Sequence, residues 1–81
     1  MPSKSATVGS SVGLHARPAA LIAEAAGLLD STVTINGVDA SSSLMIMTLG
    51  AKYGDTVEVA GEDQSAVDSI AALVEQDLDA D

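Results

Sequence analysis

Apolar and polar positions along this chain alternate with a period of two in some stretches and with a helical period in others. At 4–8 the alternation puts Ala6 and Val8 on one face, which predicts a half-buried strand. Residues 9–13 carry two glycines and two serines and read as a loop. From residue 16 an alanine-rich run reaches residue 26, with Leu21, Ile22 and Ala25 at helical spacing. Pro18 suits its first turn, where backbone N–H groups lack intrahelical partners anyway. Gly27 is expected to end this helix in a left-handed conformation, with Leu28 folding back onto the last turn.

Residues 31–35 are rich in β-branched side chains and put Val33 and Ile35 on one face, a second strand. Asn36-Gly37 follows, a strong hairpin signal, so 38–40 is expected to return antiparallel. Ser41, Ser42 and Ser43 are N-cap candidates for a short helix over 44–49, stopped by Gly50. That helix is apolar nearly all round, and Ile46 and Leu49 are expected to face inward. A strand at 56–60 buries Val57 and Val59. Asp63 or Ser65 then caps a last helix whose apolar face is Val67, Ile70, Ala71, Leu73, Val74 and Leu78. Asp77, Asp79 and Asp81 lie near the negative end of its dipole, where fraying is expected.

The order βαββαβα, with a hairpin and one apolar face per strand, predicts an α+β fold. Its economical form is a four-stranded antiparallel sheet covered on one face by three helices, the other face wet. Residues 1–81 read as a single domain without repeat or linker.

Composition narrows the function. Twelve acidic residues against three basic ones give a net charge of −9, with Tyr53 as the only aromatic residue. Nucleic-acid binding needs a basic footprint and often stacking rings, so it is excluded. An anionic membrane surface is disfavoured by the same charge. No apolar run approaches the roughly 20 residues of a membrane span. The start of the chain lacks a signal peptide's apolar stretch, so a cytoplasmic, soluble protein is expected. With no cysteine and one histidine, neither a disulfide nor a usual zinc set is expected. No nucleotide-binding glycine fingerprint is present, and no cofactor is expected.

What remains is Gly13-Leu14-His15-Ala16-Arg17-Pro18-Ala19. A lone histidine in a loop is usually incidental. Here it stands at the start of a helix, where unpaired N–H groups and the positive dipole end attract an anion. Arg17 offers two parallel N–H donors that match phosphate oxygens. Such parts suit an imidazole that takes up a phosphoryl group, because that reaction needs positioning and charge neutralisation above all.

The seven-residue stretch resembles the active-site signature of the HPr family, phosphocarriers of the phosphoenolpyruvate-dependent sugar phosphotransferase system. The likeness extends to the Asn36-Gly37 hairpin, the serine-led helix ending Met47-Thr48-Leu49-Gly50, and Gly61-Glu62-Asp63 before the last helix. It implies the HPr-like open-faced β-sandwich with strand order 1-4-2-3. It implies that His15 accepts phosphate on Nδ1 from phospho-enzyme I and passes it to a histidine on sugar-specific enzyme IIA proteins or domains. Arg17 then stabilises the phosphoryl group, and the backbone of Ala16 and Arg17 supplies N–H donors. Leu44 and Met47, with Lys52, belong to a docking surface for these partners, and a monomer is expected. The resemblance implies a covalent carrier rather than a stand-alone turnover enzyme. The alternatives are a regulatory-branch paralogue serving a nitrogen- or potassium-linked enzyme IIA, and a non-catalytic regulatory interaction module.

In relatives a serine opening the second helix is phosphorylated by a kinase, and Ser42 is the matching position; a serine kinase and transcriptional regulators are therefore candidate partners. Relatives commonly place a basic residue before it and an apolar one after it, where this chain has Ser41 and Ser43. Relatives also often carry basic residues on the first helix, where this chain has Glu24. Only Arg17 and Lys52 supply positive charge near the motif.

Overall fold

The computed structural model describes residues 2–78. It contains β1 (Ser3–Thr7), α1 (Ala16–Gly27), β2 (Val33–Ile35), β3 (Val38–Asp39), α2 (Ser43–Thr48), β4 (Thr56–Gly61) and α3 (Gln64–Glu75). The strands form one antiparallel sheet in the order β1-β4-β2-β3, so the expected βαββαβα topology is the one observed. Register is set by pairs such as Ala6 opposite Val57 and Ile35 opposite Val59. With a period of two, each such pair sends its apolar side chains to the same face. Beneath that face lies the core, in which Ile22 of α1, Ile46 of α2 and Val67, Ile70 and Val74 of α3 meet Val33, Ile35, Val57 and Val59 of the sheet.

The hairpin follows from local chemistry. Asn36 and Gly37 both take positive φ, 49° and 85°, as a two-residue turn between right-twisted strands requires. The Asn36 side chain also accepts a 2.8 Å hydrogen bond from the Glu58 N–H, which ties the turn to β4. Among the three serines before α2, Ser42 is the N-cap, accepting from the Met45 N–H at 3.3 Å. Ser41 instead donates both its hydroxyl and its N–H to Asp39 Oδ1, at 2.7 and 2.9 Å. First the hydroxyl and then the N–H hold the Asp39 carboxyl below the ordinary carboxylate range. Asp63 caps α3, accepting from the Ser65 N–H at 3.0 Å.

Three expectations change. Gly27 is the last residue of α1 and not a left-handed stop; Leu28 at the C-cap is right-handed, with φ −87°. The helix closes through Leu28 and Leu29 N–H groups bonded to Ala25 and Ala26 carbonyls, a 3₁₀-type tightening that satisfies the terminal acceptors. Leu28 is consequently 81% exposed, and Leu29 packs against the core in its place. At the other end of the chain α3 stops at Glu75, so Leu78 meets the core from beyond the helix rather than on its face. Asp77 likewise lies past the helix, while Asp79 and Asp81 fall outside the described residues.

Candidate functional site

The loop from β1 into α1 is fastened on both sides before it reaches the histidine. Gly13, with φ 78°, lies against the 51–54 turn so closely that a Cβ would come within 2.5 Å of the Ala51 carbonyl oxygen. The Leu14 N–H donates to that same oxygen at 3.0 Å, and the Leu14 side chain is buried. After the motif, Pro18 and Ala19 are buried in the first turn of α1. Buried anchors therefore flank three exposed residues, His15, Ala16 and Arg17.

His15 is the N-cap residue of α1, with extended backbone (φ −132°, ψ 158°), and its side chain makes no capping hydrogen bond. The ring is thus not committed to closing the helix. Ala16 enters the helix with φ 43°, a left-handed value that costs a residue with a Cβ on the order of 1–2 kcal/mol. That conformation turns the chain sharply between His15 and the helix. The first N–H groups of a twelve-residue helix, with their positive dipole end, follow directly after His15.

Positive charge is local. Arg17 is exposed as the second residue of α1, and Lys52 is exposed in the turn that adjoins Gly13. The Lys52 N–H is held by Asp55 Oδ2 at 2.9 Å, which braces that turn. Exposed apolar side chains stand on the loop before the motif (Val12), on α1 (Leu21), on α2, which packs against α1 (Leu44 and Met45), and on the 51–54 turn (Tyr53). The expected docking pair, Leu44 and Met47, differs in exposure. Leu44 is 68% exposed, but Met47 is half-buried against the core, and Met45 is the second exposed apolar residue of α2. Ile46 is buried and Leu49 half-buried, as their spacing predicts.

The site is a surface and not a cleft. Two hollows are lined by residues between 26 and 34 together with Asp39, Ser41 and Glu62, at the far end of α1, roughly 18 Å away along a helix of this length. Among the described residues no group of three or more metal-ligating side chains is assembled. No helix among them is long and apolar enough to cross a membrane. Sequence reasoning missed Val12, Met45 and Tyr53 as exposed apolar neighbours, although an apolar residue inside a glycine–serine loop and a sole aromatic were signals. It also missed Ser10, which is fully buried.

Comparison with known proteins identifies the family and agrees with the fold. The family described as PTS HPr component phosphorylation site matches residues 2–76. A phosphocarrier protein HPr of Streptomyces coelicolor is 33% identical over 87 residues, covering 98% of this chain and 94% of that protein. One from Cupriavidus necator is 40% identical over 81 residues, covering 91% of each. Among solved structures, HPr-C-His from Thermoanaerobacter tengcongensis aligns with a TM-score of 0.87 at 28% identity, covering 100% of this chain and 99% of that one. A phosphocarrier protein HPr from Bacillus anthracis aligns with a TM-score of 0.83 at 30% identity, covering 90% and 95%.

Proposed function

The chain belongs to the HPr family of phosphotransferase-system phosphocarriers, and from that membership we propose that His15 is the residue that carries the phosphoryl group. The observation that supports this reading is an exposed imidazole at the N-cap of α1, uncommitted to capping, with Arg17 beside it. In the forward step, the Nδ1 lone pair attacks phosphorus on phospho-enzyme I. A nitrogen–phosphorus bond forms as the donor's bond to phosphorus breaks, and that electron pair leaves with the donor. His15 keeps the hydrogen on Nε2 throughout. The reverse of this chemistry, with a histidine of a sugar-specific enzyme IIA as acceptor, unloads the carrier.

Arg17 and the first N–H groups of α1, at Ala16 and Arg17, neutralise the phosphoryl oxygens in both steps. An open surface suits the task, because one histidine must be reached by successive large partners. Leu44, Met45, Val12 and Tyr53, with Lys52, supply the apolar and basic contacts these partners grip, and Met47 supports them from below. The protein works as a single-domain cytoplasmic monomer. Ser42, at the N-cap of α2, is the position a regulatory kinase would modify.

Incubation with phosphoenolpyruvate and enzyme I, followed by intact mass and stability measurements, tests the reading. One acid-labile, alkali-stable phosphate is expected, absent in His15→Ala. A label that survives in that variant overturns the assignment. Transfer rates to sugar-linked and nitrogen-linked enzyme IIA proteins then separate the sugar branch from the regulatory one.

A further inference from the structure

Ser10 stands out among the described residues as a buried polar side chain, five positions before His15. Its hydroxyl donates to the Gln76 carbonyl at 3.2 Å and accepts from the Leu78 N–H at 3.1 Å. One hydroxyl thereby satisfies an acceptor and a donor of the segment that follows α3. Next to it the Gly9 N–H donates to the Val74 carbonyl at 3.0 Å, and a Cβ on Gly9 would collide with the Glu75 carbonyl. On its other side the Ser10 carbonyl accepts from the Gly13 N–H at 2.9 Å, closing the 10–13 turn that delivers the chain to Leu14 and His15. The phosphoryl chemistry uses none of these bonds. They join the end of the chain's last helix to the loop that aims the histidine.

We propose that Ser10 is a positioning residue for the phosphoryl-accepting site: by gripping Gln76 and Leu78 it fixes the 10–13 turn, and so the direction in which His15 meets a phosphoryl donor. The proposal rests on the His15 reading above. A serine that served stability alone would affect transfer no more than any other core residue of equal weight.

The test compares Ser10→Ala with Ile70→Val, a buried change on α3 away from the grip, in the full chain and well below both melting temperatures. Ser10→Cys, which retains volume but bonds weakly, replaces the alanine variant if that one does not fold. Ser10→Ala is expected to lower the maximal rate of phosphoryl uptake about fivefold, the order of one buried hydrogen bond expressed in a rate. KM for phospho-enzyme I should stay unchanged, and amide exchange at Gly13 and Leu14 should quicken. Ile70→Val should leave all three as they are. Equal rates in the two variants, or a rise in KM alone, overturn the proposal. If the unaltered protein takes up no phosphate, the His15 reading fails first. The exchange measurement then decides separately, because unchanged exchange at Gly13 and Leu14 in Ser10→Ala removes Ser10 as a positioning residue.

Discussion

Around the motif, exposed and buried residues divide the work so completely that mutations should separate chemistry from folding. Arg17 is exposed between Leu14 and the Pro18-Ala19 pair, both buried. Its removal should cost charge-assisted hydrogen bonds to the phosphoryl group and little packing. Arg17→Ala is expected to slow phosphoryl uptake about ten- to hundredfold. Stability should stay within about 0.5 kcal/mol of the parent in urea unfolding. Global unfolding of that variant would mark Arg17 as structural. Gly13→Ala is the opposite case. It forces a Cβ both into φ 78° and onto the Ala51 carbonyl oxygen, a backbone group that cannot swing aside. A loss of about 2–4 kcal/mol is expected from strain and displaced backbone together. A change below about 0.5 kcal/mol, the level of an ordinary surface substitution, would show that the loop is not held as described.

At the scale of elements, the turn between β3 and α2 adds a carboxylate clasp to the backbone bond from the Ser42 N–H to the Asp39 carbonyl. Asp39 Oδ1 accepts both the hydroxyl and the N–H of Ser41, which lowers its pKa. A carboxyl depressed on folding contributes its full stabilisation above the unfolded value of about 3.9, and loses it as pH falls through the lower folded value. The turn should therefore loosen only in strong acid. An NMR titration should find Asp39 below the ordinary aspartate value, and Ser41→Ala should move it back toward that value. An unmoved midpoint would contradict the hydroxyl's part. What was legible beforehand follows the same local logic. The hairpin could be read from two residues because Asn36 and Gly37 carry their positive φ requirement in their own chemistry. Cap candidates were readable from their side-chain acceptors, but Asp63 or Ser65 and any of Ser41, Ser42 and Ser43 stayed open until the fold selected Asp63 and Ser42. The end of α1 was not, since choosing Leu29 over Leu28 for burial depends on where the core lies relative to the helix. In α2 a six-residue run with apolar side chains on nearly every side has no polar stripe to fix its rotation. Packing against α1 therefore left Met47 half-buried and Met45 exposed. Ser10 was the least legible, because its partners lie 66 and 68 residues away.

For the molecule as a whole, charge and apolar surface make different demands on docking. The chain carries −9 overall, and of its three basic residues only Arg17 and Lys52 adjoin the motif. Long-range steering depends on the summed field of a protein, and here the net charge makes that field negative overall. Two cations near the helix N-terminus act over about one Debye length, near 10 Å at 0.1 M salt, which is enough to orient a phosphoryl group but not to draw in a distant partner. The exposed Val12, Leu44, Met45 and Tyr53 attract only on contact, without regard to salt. Association with enzyme I should accordingly proceed at the unsteered rate of about 10⁵–10⁶ M⁻¹s⁻¹ and change little across a salt series. Stopped-flow measurement of the association rate checks this. A steep loss of rate with rising salt would mean that Arg17 and Lys52 dominate the encounter despite the surrounding carboxylates. A gentle rise would mean that repulsion from the acidic surface is what salt relieves, leaving the apolar contacts to hold the complex while His15 is charged.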